Sequence, residues 1–404
     1  MKRILIFSLV YYPRFIGGAE VAIKEITDRI SPKEIEFDMI TLRLDSKLPA
    51  VEKIGNINVY RVGWSSRQKQ SSDSLPWHLH LNKYALMFTG FFKAVSLSRV
   101  KKYDAIWSIM ATYNSFAALF FKLTHLDIPF ILTLQEGDPI PYIKRRALPL
   151  YPLFKMIFTR ADAIQTISNY LANWAKDMNA KCPITVVPNA VDCDLFSTRK
   201  FAEEETALKK QLNKNEGDVF LITTSRLVVK NAVGDIIAAL QFLPENIKLL
   251  ILGQGYEEAA LRRKIVDLKL EGRVQFLGFV PHASMPQYLH VSDIFVRPSL
   301  SEGMGNSFVE AMAAGLPVIA TQEGGIADFL FDPERNPNKL PTGRAVNPKD
   351  PKGIARAVEL YLSDKKKTEE IIKNGQGLVF EKYEWDKVAR DMKEKVFNTL
   401  FNRI

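Results

Sequence analysis

Short apolar runs, each bounded by turn residues and separated by longer amphipathic stretches, recur along the whole chain. In the first half the pattern predicts strands at residues 4–10, 37–42, 105–108, 130–134 and 163–167, with a helix at 18–30 after the first of them. The second half repeats the plan, with strands at 219–223, 248–252, 274–276, 294–296 and 318–320. Runs that are apolar throughout, and do not alternate, belong to sheets covered on both faces, and covered sheets are parallel. The expected fold class is therefore α/β, with two doubly wound domains. A chain of 404 residues suits two cores better than one. The junction falls near Val186-Val187-Pro188-Asn189-Ala190, giving an N-terminal domain over residues 1–190 and a second domain over 191–384. Val388, Met392, Val396 and Leu400 recur at helical spacing, so residues 385–404 read as an amphipathic helix.

Composition alters this picture little: 47% hydrophobic and 25% charged residues are ordinary for a globular protein. No apolar run approaches the ~18 residues of a spanning helix. Lys2-Arg3 ahead of the first apolar run imitates a secretion signal. That run is too short, and Tyr11-Tyr12-Pro13-Arg14 follows it where a small-residue cleavage site would stand, so a buried first strand is expected. Two cysteines, Cys182 and Cys193, are too few for a disulfide framework or a zinc site and indicate a reducing, cytoplasmic setting.

Charge is more informative, because it is lopsided. Residues 1–193 carry 25 Lys and Arg against 16 Asp and Glu, a net of +9 out of the chain's +10. Cations mix with large apolar groups at Lys144, Arg145, Arg146, Leu148, Leu150, Tyr151 and Phe154, and again at Phe88, Phe91, Phe92 and Lys93, leading into Arg99, Lys101 and Lys102. Such mixtures suit an anionic membrane surface, with the protein peripheral on its inner face. No aromatic-basic module of the RNA-recognition kind is present, and nucleic acid is not an expected partner.

The most telling run is Ser301-Glu302-Gly303-Met304-Gly305-Asn306-Ser307-Phe308-Val309-Glu310. Its glycines allow close approach of the backbone to a ligand, Asn306 or Ser307 is the expected N-cap of the helix that follows, and Gly315 and Pro317 close that helix. Amides near 304–307 would favour an anion such as a phosphate. The carboxylates of Glu302 and Glu310 would accept hydrogen bonds from sugar hydroxyls. Upstream, Arg226 and Lys230 follow a strand and are spaced to reach a diphosphate together. Gly253 and Gly255 end the next strand, where either a ligand or a tight turn accounts for them. Phe15-Ile16-Gly17-Gly18-Ala19-Glu20 lacks the third glycine and the later acid of a dinucleotide fingerprint, which argues against a nicotinamide enzyme.

The spacing Glu-Gly-x-Gly-x-x-x-x-Glu, followed by Ala-Met-Ala-Ala-Gly-Leu-Pro, resembles the signature of family four of the retaining glycosyltransferases. Gly278-Phe279-Val280, Ser292-Asp293-Ile294-Phe295-Val296, Pro298-Ser299 and Gly324-Gly325 follow the family's order. The resemblance implies a GT-B fold, two Rossmann-like domains facing a cleft, with the C-terminal helix crossing back to the first. It implies Glu310 on the nucleotide ribose, Glu302 on the donor sugar, Arg226 and Lys230 on the leaving diphosphate, and backbone around Phe279 and Val280 on the base. It also implies a loop at Gly17 and Gly18 over the donor phosphate and sugar. Gln135 stands where many members have histidine, leaving Glu136 and Asp138 as partners for an acceptor hydroxyl. The implied activity is transfer of a hexose from a UDP- or GDP-linked sugar to a lipid-linked or glycan hydroxyl, with retention and with neither metal nor cofactor. An epimerase or hydrolase on the same fold, or a sugar-nucleotide binder without catalysis, are the other readings. Asp192-Cys193-Asp194 imitates a metal clamp but sits at the junction, so no metal role is expected, nor for His78-x-His80 without a carboxylate or cysteine nearby.

Overall fold

The computed structural model describes residues 1–65, 77–199 and 202–402. The chain divides into two units, Met1–Asn189 with Trp385–Ile404, and Ala190–Glu384.

The first unit is built on eight strands: β1 (Lys2–Phe7), β2 (Ile35–Leu42), β3 (Val51–Ile54), β4 (Ile57–Val62), β5 (Ala105–Ile109), β6 (Phe130–Leu134), β7 (Ala163–Thr166) and β8 (Ile184–Val186). They lie in the order β3-β4-β2-β1-β5-β6-β7-β8. All neighbours are parallel except β3 and β4. Ile4, Leu5, Ile6, Ile131 and Leu132 are wholly buried, as uninterrupted apolar strands require. A polar line crosses this core: Trp107 Nε1 donates to Thr133 Oγ1 (2.7 Å), Thr133 to Gln165 Oε1 (2.8 Å), and Gln165 Nε2 to the Val187 carbonyl (2.5 Å). With every member partnered, the line ties β5 to β7 and to the segment leaving β8 at little desolvation cost.

Three local departures from the apolar pattern have clear causes. The first strand stops at Phe7, short of Val10, because the chain turns there and the Ser8 hydroxyl donates to the Val10 carbonyl (2.9 Å). Its following helix is Gly18–Asp28. A hairpin at β3 and β4, which the apolar runs do not predict, turns through Gly55, whose φ of 55° is left-handed. Finally, Phe154 belongs to the core against Phe158 and Trp174 and is not part of a surface patch, whereas Tyr142, Leu148 and Leu150 are exposed.

The C-terminal segment Trp385–Asp391, Met392–Asn398 and Thr399–Phe401 packs on this first unit. Phe397, fully buried, lies 5.2 Å from the Trp107 ring and 6.2 Å from Phe37. Val388, Met392, Val396 and Leu400 are all buried. Residues four apart advance about 40° per step around an α-helix. The wider π-type turn at Met392–Asn398 takes back that drift and keeps the stripe inward.

The second unit has six parallel strands: β9 (Val219–Thr224), β10 (Ile247–Leu252), β11 (Val274–Gly278), β12 (Ile294–Arg297), β13 (Val318–Ala320) and β14 (Arg344–Ala345). Their order is β11-β10-β9-β12-β13-β14. The chain runs outward from β9 on one side and from β12 on the other, so the topological switch lies between these two central strands. The unit begins and ends side by side, since the Val191 N–H donates to the Tyr383 carbonyl (2.9 Å). Among the described residues, no helix is long and apolar enough to cross a membrane.

Candidate active site

The loops leaving β9 and β12 at the switch carry Arg226, Lys230, Glu302 and the 303–310 run. Leu227, wholly buried, pins the first loop between exposed Arg226 and half-buried Lys230. Lys230 sits in the single turn Val229–Asn231, which ends at Ala232 in the left-handed region (φ 51°) before helix Val233–Ala239 begins. Two hydrogen bonds tie this turn down. The Leu300 N–H donates to the Lys230 carbonyl (2.7 Å), and Asn231 Nδ2 donates to the Arg226 carbonyl (2.6 Å). The backbone carrying both cations is thus sewn to itself and to the β12 loop.

Gly253 and Gly255 serve this same arrangement. A Cβ at Gly253 would stand 1.8 Å from the Ser225 carbonyl oxygen, and one at Gly255 would stand 2.2 Å from that of Leu227. The Gly253 N–H donates to the Gly278 carbonyl (2.7 Å), and Leu227 N–H to that of Gln254 (2.9 Å). The close approach these glycines permit is to the protein's own chain. Gly324 acts likewise on Glu302: its Cβ would lie 2.0 Å from the Glu302 carbonyl oxygen, which accepts from the Gly325 N–H (3.0 Å).

The helix after β12 is Asn306–Ala313, and its N-cap is Gly305 (φ 92°), not Asn306 or Ser307. The left-handed cap conformation selects glycine, and a Cβ there would meet the Phe308 ring at 2.5 Å. Ser307 is free of capping duty, and its hydroxyl accepts from Arg297 Nη1 (2.6 Å). Gly303 and Met304 are buried, backbone included, whereas Asn306 and Ser307 are half-buried. Gly315 ends the helix at φ 78°, as expected.

Two partners went unrecognised in the sequence. Arg297, the last residue of β12, pairs with Glu302 through Nη2. His282, on the turn His282–Ser284 after β11, places Nε2 3.0 Å from Glu310 Oε1 and its ring 5.3 Å from that of Phe196. No spacing rule relates His282 to Glu310, whereas a lone cation closing the apolar run Ile294-Phe295-Val296 was a visible signal. Gly278 has φ 68°, Phe279 is well exposed and Val280 half-buried, so the candidate base-contacting turn adjoins the candidate ribose carboxylate through His282.

In the first unit, Gly17 caps helix Gly18–Asp28, and its N–H donates to Glu20 Oε2 (2.8 Å). Burial raises the Glu20 pKa against these backbone hydrogen bonds. Gln135, Glu136 and Asp138 follow β6. Gln135 Oε1 accepts from Asn189 Nδ2 (3.3 Å), and Asp138 is half-buried. Glu136 is 3% exposed; it accepts from the Ala111 N–H beyond β5, while its Oε2 is buried without a hydrogen-bond partner. Burial pushes this carboxyl up to about 7, against the backbone N–H bonds that lower it. Asp192 caps the short helix Cys193–Ser197, accepting from the Leu195 N–H (2.9 Å). His80 is exposed, and the His78 side chain lies outside the described residues.

Comparison with known proteins gives this geometry a context. The family described as "Glycosyl transferases group 1" matches residues 204–394, and that described as "Glycosyltransferase Family 4" matches residues 16–195. An uncharacterised glycosyltransferase of Methanocaldococcus jannaschii is 25% identical over 408 residues, covering 96% of each chain. The solved sucrose-phosphate synthase of Thermosynechococcus elongatus has a TM-score of 0.82 at 20% identity, covering 100% of both chains. Anabaena HepE in complex with UDP-glucose has a TM-score of 0.78 at 18% identity, covering 98% of this chain and 100% of that one. Two family descriptions thus meet almost end to end over two doubly wound sheets: the chain belongs to the family 4 glycosyltransferases, is a transferase enzyme of that kind, and has the GT-B fold.

Proposed function

We propose that this glycosyltransferase moves a hexose from a nucleoside diphosphate sugar, UDP- or GDP-linked, to a hydroxyl acceptor with retention at the anomeric carbon. The observation that carries the reading is the hydrogen-bonded pair of loops at the β9/β12 switch, where α/β sheets bind ligands. In this reading Arg226 and Lys230 neutralise the diphosphate as it leaves, and the amides at the start of Asn306–Ala313 assist. Glu302 accepts from a hydroxyl of the transferred sugar and Glu310 from the ribose. The site residues hold and orient, so catalysis rests on positioning and on stabilising the leaving group, with attack on the departing face. The binding of UDP-glucose by HepE, a protein of the same fold, supports a sugar-nucleotide donor.

The acceptor side of the proposal is a lipid-linked or glycan hydroxyl at an anionic membrane surface, in cell-surface polysaccharide or glycolipid assembly. Helix Trp77–Ser98 exposes Leu81, Tyr84, Phe88 and Phe92, spaced three and four apart on one face. Tyr84 touches Tyr113 (4.8 Å between rings), whose hydroxyl accepts from Arg146 Nη2 (3.1 Å). The apolar stripe thereby continues into the cations Lys144, Arg145 and Arg146 and exposed Leu148. An apolar stripe edged by cations suits anionic lipid.

The deciding experiment screens nucleotide sugars for diphosphate release with lipid-linked hydroxyl acceptors present and absent, then assigns the product's anomer. Acceptor-dependent release with retained configuration is expected. Equal release without acceptor would make the protein a hydrolase, and binding without release would remove the transfer reading.

A further inference from the structure

We propose that Arg297 is a positioning residue of the donor site, holding the Glu302 carboxylate aimed at the transferred sugar without itself touching the donor. The inference rests on the assignment of Glu302 to that sugar given above.

Arg297 ends a central strand whose preceding residues, Ile294, Phe295 and Val296, are buried, and its own side chain is only 11% exposed. A cation in such a place is costly unless its hydrogen-bonding groups are used. They are used on three segments at once. Nη2 takes one Glu302 oxygen and also Asn231 Oδ1 (3.1 Å), Nη1 takes the Ser307 hydroxyl (2.6 Å), and the guanidinium stacks 5.2 Å from the Phe308 ring centroid. Glu302 is equally enclosed, its side chain 9% exposed, and the Gly324-Gly325 turn clamps its carbonyl from the other side. The carboxylate is therefore held at the head by Arg297 and at the backbone by Gly325.

Packing alone does not explain this choice of residue. Arg297 Nε is buried without a partner, a cost that a core selected for stability would avoid. An apolar residue in place of a buried ion pair is often neutral or stabilising, so the pair specifies geometry more than it adds stability. Lysine, a point charge, cannot reach three acceptors in a plane as the guanidinium fork does.

The test uses the full chain and two ligand pairs, UDP with UDP-glucose and GDP with GDP-mannose. Calorimetry gives the sugar increment, the ratio of nucleotide-sugar affinity to nucleoside-diphosphate affinity. In Arg297→Lys and Arg297→Met the increment should fall about tenfold to a hundredfold, the size of a charge-assisted hydrogen bond. Nucleoside diphosphate affinity should stay within about threefold, because Arg297 reaches the Arg226–Lys230 turn only through Asn231 Oδ1, and without it the turn keeps its bonds to Leu300, to Gln254 and from Asn231 Nδ2 to the Arg226 carbonyl. Arg297→Met leaves Glu302 buried and unpaired, which destabilises the fold; Arg297→Met with Glu302→Gln removes that charge, should fold, and should lose no more than Glu302→Gln alone. If Glu302→Gln loses the increment while both Arg297 variants keep it, the inference on Arg297 falls alone. If Glu302→Gln keeps the increment, the donor-site assignment falls and takes this inference with it. Equal losses for nucleoside diphosphate and nucleotide sugar in Arg297→Lys would reduce Arg297 to general packing and overturn the proposal.

Discussion

Glu136→Gln offers a sharp physical test of the first unit, because it removes a buried charge while keeping its shape. Burial pushes the Glu136 carboxyl up to about 7 in the folded protein, from 4.5 in an exposed glutamate. At pH 4 the folded and unfolded states both hold the proton. As pH rises, the unfolded chain releases it first, so the folded state loses relative stability until pH passes about 7. The full loss is about 3 kcal/mol, from two and a half units at about 1.4 kcal/mol each. Glutamine can still accept from the Ala111 N–H, but its amide nitrogen enters the position where Oε2 has no partner. The protonated carboxyl already has an O–H without a partner there, so the amide's extra N–H costs only about 1 kcal/mol, the same at every pH. The variant should therefore be the less stable protein at pH 4.5 and gain on the wild type by about 3 kcal/mol on reaching pH 7.5. Urea titrations followed by tryptophan fluorescence suit the purpose, because all five tryptophans, Trp64, Trp77, Trp107, Trp174 and Trp385, lie in the first unit. Stability curves for the two proteins that stay parallel from pH 4.5 to 7.5 would refute the reasoning.

Four further outcomes are expected. Lys230→Ala should lower turnover with a sugar nucleotide about a hundredfold to a thousandfold, as loss of one charge-stabilising group does elsewhere; near-normal turnover in a diphosphate-release assay would exclude Lys230 from the reaction. Gly324→Ala forces a side chain into a left-handed residue against the Glu302 carbonyl; it should cost about 1–3 kcal/mol in denaturant titration and weaken donor binding, and a neutral result would show the clamp to be dispensable. Phe88→Glu with Phe92→Glu should abolish co-sedimentation with anionic liposomes at low salt without lowering the melting temperature, whereas unchanged binding would remove this face from the membrane proposal. Phe397→Ala should cost about 3–5 kcal/mol in the tryptophan-reported transition, because it empties the contact with Phe37 and Trp107. A smaller loss than about 1 kcal/mol would mean the C-terminal segment contributes little to the first unit.

The strands were legible where burial on both faces leaves apolar runs such as Phe220-Leu221-Ile222 and Leu249-Leu250-Ile251, wholly buried in the structure. The β3/β4 hairpin was not, because its second strand buries only Ile57, Val59 and Arg61 on one side, a weaker alternating signal. At the candidate site, residue types at strand ends identified the loops, since charge and glycine there have few other uses. What the loops do to each other was hidden. Serine and asparagine propensity pointed to a cap at 306 or 307, while the backbone demanded a left-handed residue one position earlier, at Gly305. His282 lies 28 residues from Glu310, and nothing local announces such a pair.

The glycines carry the most general lesson of the site. Gly253, Gly255 and Gly324 each stand where a Cβ would strike a carbonyl oxygen of a neighbouring loop, closer than 2.5 Å in every case. Read from the sequence, glycines beside cations and carboxylates suggest room for a ligand. In the structure that room is already taken by Ser225, Leu227 and Glu302, the backbone on or beside which the candidate chemistry sits. Such packing fixes the backbone that carries Arg226 and Glu302, and in the proposed reading it spares a donor diphosphate the cost of gathering these loops around it. A glycine can thus serve a phosphate site at one remove, by bringing two loops close enough that their side chains share a fixed frame.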